Sequence, residues 1–368
     1  MATFPDSLVD TQSALNEVCE VISSHQTLCL DTEFMRVRTY TPQLALIQIA
    51  AGEQIFCIDP VADIDLTEFW NIVYAAERII MHSAKQDFEA LYFFLGKIPH
   101  NLFDTQVAAA LCGYAPQVGY AGLCNELLGI ELPKSQTRSD WLQRPLTDAQ
   151  IKYAAEDVAH LQEMADILED KLNTLHRLEW AIEDSKGLSE LSLYAPDPDS
   201  AWQRMKSIPF MHPAEQARAV VLTRWREARA VKLDKPRNWI ISDAAIKELT
   251  ANNPLNIRDL GNCEEIPAAT IRKQGERLIE LLSQANESYK NGDLKAVQRA
   301  QPDDAYKLLL KRLSAIVRKC AEQLGVPAEI VASKRELNAI IQGDHSQRPL
   351  NGWRKTKIGE QLLAEIEK

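Results

Sequence analysis

Two acids close the stretch LCLDTEFMR. Leu28, Cys29 and Leu30 are apolar, and Asp31 and Glu33 follow with Thr32 between them. Alternate strand side chains share a face, so a strand here points both carboxylates the same way. Like charges on a buried strand repel, and each is costly to desolvate unless something compensates. A further acid, Asp87 in IIMHSAKQDFEAL, sits in the first turn of a helix that follows a strand. Alone, it is explained by the helix dipole. The last group lies in LTDAQIKYAAEDVAHLQEMADIL, where Thr147 and Gln150 form a capping box. Ile151, Ala154, Val158, Leu161, Ala165 and Leu168 make its buried stripe. Tyr153 and Asp157, four apart, stack one turn above the other on the flank of that stripe, a pair that taken alone is usually structural. Together, four carboxylates that converge at the end of a sheet need a cation, and oxygen-only ligands suit Mg²⁺ or Mn²⁺. Two such ions about 4 Å apart can clamp the attacking and leaving oxygens of a phosphodiester. Tyr153, a phenol with a reference pKa near 10, suits orienting the attacking water better than deprotonating it alone.

The elements that must position these groups alternate through the first half. Strands are predicted over 27–31, 43–50, 54–58 and 78–82, and helices over 65–76, 85–95, 104–112 and 120–128, with one long helix from 148 to about 175. The early strands are joined by short connections, as in an antiparallel meander, and the later ones alternate with helices. That is a mixed α/β sheet. YAPDPDSAW opens a linker over 194–209, and beyond it only helical periodicity continues. There an ungapped offset of 91 pairs Leu233 with Leu324, Pro236 with Pro327, Ser242 with Ser333 and Leu249 with Ile340. Later the offset falls to 84, so that Gly275 meets Gly359 and Leu278 meets Leu362. The chain therefore reads as a catalytic domain over 1–193, the linker, and two small helical domains over 210–290 and 298–368.

A chain of 368 residues, 46% apolar and 25% charged, belongs with multidomain globular proteins. It holds no apolar run of membrane-spanning length, and MATFPDSLVD lacks a signal peptide's basic start and apolar core. Seven scattered cysteines without a CxxC pair point to free thiols in a reducing cytoplasm and away from zinc. The net charge of −11 divides unevenly: residues 1–204 carry 13 Lys and Arg against 31 Asp and Glu, and residues 205–368 carry 28 against 21. The halves stand at −18 and +7, which hints at a polyanion held by the basic half.

Here the chain resembles a known family. LDTEF is similar to the first motif of the DEDD exonucleases, Asp87 in SAKQDFEAL to the second, and YAAED to the third in its YxxxD form. DTEFMRVRTYTPQLALIQIA and KSQTRSDWLQRPLT resemble signatures of its RNA-trimming members, and the helical repeats resemble the HRDC domains that follow their catalytic domain. The resemblance covers nearly the whole chain. It implies an RNase H-like mixed sheet with flanking helices, followed by two all-α HRDC-like domains. It also implies metal-dependent 3′→5′ exoribonuclease activity on RNA with a free 3′ end, including tRNA precursors. In that family's pattern Asp31 bridges two divalent ions, Glu33 and Asp157 complete one shell, Asp87 supports the other, and Tyr153 holds the attacking water. Hydrolysis of that kind releases nucleoside 5′-monophosphates.

Lys134, Ser135, Arg138 and Trp141 lie in a polar loop and could grip a phosphate and stack a terminal base. Phe34 wedges beside that base or packs in the core. Gln48 and His82 read as hydrogen-bonded core polar groups. Arg224, Arg226, Arg229 and Lys232, and the cluster around Lys307 and Arg318, read as solvated helix faces. All five proposed catalytic residues precede residue 160, so the helical half is expected to be separable from the chemistry. Two rivals stand beside the exoribonuclease: a DNA 3′→5′ exonuclease, and a nucleic-acid-binding scaffold with a dead nuclease fold. No membrane and no obligate protein partner is indicated.

Overall fold

The computed structural model describes residues 8–132, 139–293 and 303–368. It divides into two compact units. The first holds the chain through Met35, then Pro42–Tyr194 and Asp304–Lys368; the second holds Arg36–Thr41 and Ala195–Asp303.

The first unit is built on a five-stranded sheet in the order β3-β2-β1-β4-β5. Its strands are β1 (Thr27–Met35), β2 (Gln43–Ala51), β3 (Gln54–Ile58), β4 (Arg78–Met81) and β5 (Leu102–Asp104). β1, β2 and β3 form the antiparallel meander, while β4 and β5 run parallel to β1. One face, with Leu28, Leu30, Ile47 and Ile49, packs on α1 (Gln12–Ser23), α2 (Thr67–Ala75) and α3 (Lys85–Leu95). The other face, with Cys29, Leu46, Cys57 and Ile80, is covered by α4 (Thr105–Leu111), α5 (Tyr120–Leu128), α6 (Asp148–Ala159) and α7 (Leu161–Thr174). Both faces are therefore dry, which explains why β2 reads as an almost unbroken apolar run. α8 (Leu178–Leu188) follows.

The second unit contains α9 (Pro213–Leu233), α10 (Arg237–Ile240), α11 (Asp243–Asn252), α12 (Ile257–Leu260) and α13 (Ala268–Lys290). α14 (Asp304–Leu324), α15 (Ala328–Val331), α16 (Lys334–Ile341), α17 (Gly352–Arg354) and α18 (Glu360–Ile366) belong to the first unit. The helical repeat is visible in backbone detail. Pro236 and Pro327 each precede a one-turn helix with φ of −52° and −58°, and Ser242 and Ser333 each cap the next helix by accepting a backbone N–H.

Three features of chain organisation differ from the sequence reading. The segment 194–209 is not an open connection: Met205 and Ile208 are buried in the core of the second unit. Residues 36–41, which directly follow β1, fold with the helices. Tyr40 donates to Glu227, and Asp234 accepts from the backbone N–H groups of Tyr40 and Thr41. The last helical segment is equally committed to the first unit. Trp353 stacks on Trp180 with centroids 4.3 Å apart, and the buried Arg354 grips Asp184 through two bonds of 2.6 and 2.7 Å. Gly352 lies so close to Glu183 that a Cβ there would overlap its carboxylate. The last helical segment is thus packed into the first unit. Its apolar and ionic partners were hidden in the sequence because they lie more than 160 residues away.

Candidate active site

β1 runs four residues beyond the predicted end, so Cys29, Asp31 and Glu33 all lie on one face. Opposite them on β2 stand Ala50, Gln48 and Leu46, and the register then shifts between Glu33 and Phe34. Thr32 points to the other face, where its hydroxyl donates to Asp87 Oδ1 at 2.6 Å. Asp87 enters from α3 and is 7% exposed. The turn that launches α3 is held by Asp104, whose carboxylate accepts from the backbone N–H groups of Ser83 and Ala84 at 3.1 and 2.8 Å. Ser83 has a left-handed φ of 61°, and Asp104 also caps α4. One carboxylate thereby fixes the entry of the helix that carries another.

Asp157 arrives from α6. The predicted long helix is broken at His160, and the cause is a side chain in its hydrogen-bond ladder. The Tyr120 hydroxyl donates to the Glu156 carbonyl at 2.8 Å and accepts from the His160 N–H at 3.1 Å. It replaces the single helical bond that would join those two groups, one residue from Asp157. The Thr147–Gln150 capping box starts α6, and Arg144 anchors the segment that leads into it. Its guanidinium grips Asp59 at 2.6 Å twice and donates to the carbonyls of Ala45 and Trp141.

The electrostatics of the four acids are concordant. Burial is the main force on each and pushes all four carboxyls up. Asp31 is held well above the carboxylate range by burial and by Asp87, Asp157 and Glu33. Glu33 is pushed up to about 8, by burial and then by Asp157 and Asp87. Asp87 and Asp157 are each raised to about 7, although Thr32 opposes the shift at Asp87. Among the described residues, the charges that act on these four are negative, with Asp104 and Glu156 adding to the set. Among the described residues, no three His, Cys, Asp or Glu side chains are gathered closely enough to close around one ion. The acids share a region rather than a point, as mutual repulsion favours.

The structure brings Asp31, Glu33, Asp87 and Asp157 into one electrostatic cluster, and Tyr153 lies one turn from Asp157 on α6. Tyr153 rests against Trp141, with ring centroids 6.2 Å apart and planes tilted by 32°. Trp141 itself is 3% exposed and belongs to the core. The expected base-stacking face is therefore covered, and the indole instead supports the tyrosine. Phe34 is partly buried against the other core. Lys134, Ser135 and Arg138 lie outside the described residues. His82 is a bonded core group, bridging Thr105 Oγ1 and the Val118 carbonyl. Gln48 is not: it is fully buried, and neither amide atom has a hydrogen-bond partner. Such a group costs about 1–3 kcal/mol. Arg226 also departs from its expected solvated face, since it is buried and pairs with Asp243. Sequence reading passed over Thr32 and Tyr120, whose roles depend on partners 55 and 36 residues away.

Comparison with known proteins places this geometry. The family model for 3′–5′ exonucleases matches residues 7–173, the HRDC domain matches 215–282, and the C-terminal HRDC domain of ribonuclease D matches 304–362. Ribonuclease D of Pseudomonas paraeruginosa is 34% identical over 362 residues, covering 96% of each chain. That of Xanthomonas oryzae is 35% identical, covering 92% of each. The crystal structure of Escherichia coli RNase D, an exoribonuclease involved in structured RNA processing, superposes with a TM-score of 0.87 at 26% identity over 99% of both chains. No helix among the described residues is long and apolar enough to cross a membrane. With an acid cluster assembled from β1, α3 and α6 inside this architecture, the chain belongs to the ribonuclease D family of 3′–5′ exoribonucleases.

Proposed function

We propose that the chain trims the 3′ ends of tRNA precursors and other small structured RNAs by hydrolysis, one nucleotide at a time, with two divalent ions held by Asp31, Glu33, Asp87 and Asp157. The observation that supports this reading is the cluster of four buried carboxylates, with Asp87, Asp157 and Glu33 all raising Asp31 and further acids raising the others. Clustered hard oxygen donors suit Mg²⁺ or Mn²⁺. When bound, such ions would neutralise the acids and stabilise charge on the attacking and leaving oxygens of the phosphodiester.

The chain's own residues do the remaining work. Asp31, at the centre of the set, would serve both ions. Glu33 and Asp157 would close with it around one ion on binding, from positions that stand too far apart to form a shell in the structure described, and Asp87 would support the other. Thr32 holds Asp87 in one rotamer through its 2.6 Å hydroxyl bond. Tyr153 would orient the attacking water through its hydroxyl, with Trp141 behind its ring. With the 3′ oxygen leaving, phosphate stays on the 5′ side of the departing nucleotide, so the products are nucleoside 5′-monophosphates.

The test is degradation of matched linear RNA, circular RNA and linear DNA, each in Mg²⁺, Mn²⁺ and EDTA, with products resolved to one nucleotide. Linear RNA should shorten stepwise from a 3′-OH end only with a divalent ion, and circular RNA should survive. Cleavage of the circle, release of 3′-phosphates or full activity in EDTA would each refute the mechanism. Preference for DNA would move the substrate class.

A further inference from the structure

Gln48 is a buried amide without an occupation. It sits in a strand buried along all but its first residue, is fully shielded from solvent, and leaves both Oε1 and Nε2 unpaired. The large majority of buried polar groups find a partner, and an unpaired one lowers stability. Methionine would fill nearly the same volume without that cost.

The register says where the amide stands. Gln48 lies directly opposite Asp31 on β1 and opposite Cys57 on β3. Residues directly opposite in an antiparallel pair share a face, with Cβ atoms about 5 Å apart. On this face β2 presents Leu46, Gln48 and Ala50 against Glu33, Asp31 and Cys29. The Cys57 thiol is already engaged, donating to the Ile151 carbonyl at 3.7 Å. The polar group directly across from the amide on β1 is therefore the Asp31 carboxyl.

We propose that Gln48 is a positioning residue for Asp31, whose ionised carboxylate accepts a hydrogen bond from the Gln48 amide when a divalent ion is bound. This inference rests on the ion-binding reading given above. The chemistry explains the choice of side chain. A carboxylate bound to a cation is acceptor-only, and an amide N–H suits it without changing the charge of the site. A lysine or arginine would neutralise Asp31 in place of the ion, a glutamate would add a fifth acid, and a hydrocarbon would leave the carboxylate free to rotate. Partners that orient a metal ligand from behind typically govern affinity by about tenfold to a hundredfold.

The experiment uses the full chain with Gln48→Met, and Ile47→Val as a packing control on the opposite face of the same strand. Mn²⁺ binding is titrated calorimetrically without RNA, and melting is followed in EDTA. The expected result for Gln48→Met is an Mn²⁺ dissociation constant weakened about tenfold or more, with a melting point equal to or above that of the parent. Ile47→Val should melt lower and bind Mn²⁺ as the parent does. Should Gln48→Met fail to fold, Gln48→Leu carries the same test. An unchanged Mn²⁺ constant overturns the proposal whichever way the melting point moves, and equal weakening in Ile47→Val overturns it too. Asp31→Asn separates the two levels of inference. If it binds Mn²⁺ normally, the ion-binding reading fails; if it does not while Gln48→Met does, only the positioning role fails.

Discussion

Replacing Asp87 by asparagine should stabilise the ion-free protein while abolishing cleavage. The side chain is 7% exposed, and its carboxyl titrates at about 7 instead of the ordinary 3.8. A group raised in the folded state does not penalise the fold below its unfolded value, and stability is lost as pH rises through the folded one. In EDTA the penalty of Asp87 therefore grows from about pH 4 to about pH 7 and stays level above. Ionising it against that shift costs roughly 4 kcal/mol. The Asp87→Asn amide would keep an oxygen for the Thr32 hydroxyl, now 2.6 Å from Oδ1, and would carry no charge. For a unit of this size 1 kcal/mol moves the melting point by about 2–4 °C. In EDTA at pH 8 the variant should thus melt roughly 8–16 °C higher than the parent, and at pH 4 the two should coincide. Saturating Mg²⁺ should stabilise the parent far more than the variant, because ligand binding to the folded state adds to its stability. Differential scanning calorimetry from pH 4 to 8, with and without Mg²⁺, reads all three effects. A difference independent of pH, or a parent more stable than the variant at pH 8 in EDTA, would refute the reasoning.

Three further outcomes follow from the same geometry. Tyr153→Phe keeps the ring against Trp141 and removes the hydroxyl, so single-turnover cleavage should slow by roughly 10²-fold while calorimetric Mn²⁺ affinity stays within error; a collapse of affinity would make the tyrosine part of the metal shell. Trp353→Ala deletes the partner stacked on Trp180 and should destabilise the unit that contains the catalytic sheet by about 3–5 kcal/mol, read by chemical denaturation; an unchanged midpoint would show that the last helical segment is dispensable to that unit. Glu227 is 1% exposed, accepts from Tyr40, Arg204 and Arg237, and is held down to about 2, so its contribution is present above pH 4.5 and lost as pH falls through 2. Glu227→Gln should destabilise the helical unit by about 3–5 kcal/mol at pH 7 and shrink its acid-side loss of stability; melting curves identical to the parent would refute this.

What the sequence made legible, and what it did not, follows from how far each partner lies along the chain. The face shared by Asp31 and Glu33 follows from strand alternation alone, and the capping box at Thr147 follows from residues three apart; both are local. The end of β1 was misjudged because the acids interrupt its apolar pattern, although pairing with β2 carries the strand on to Met35. β5 has only three residues, too few to show a period. The helix break at His160 has no signal in its own sequence, because the disruptor is the hydroxyl of Tyr120 on another helix. Trp141 could not be assigned from its loop, since an indole serves equally as a stacking surface or as core, and the distinction rests on its distant neighbours in the sheet. The same holds for Trp353 and Arg354, whose partners Trp180 and Asp184 lie on α8. The acids were legible because their own like charge is the signal. The groups that hold them in place, Thr32, Tyr120 and Asp104, are ordinary side chains whose meaning arises only when the fold sets them beside a carboxylate, at the entry of a helix or in its path.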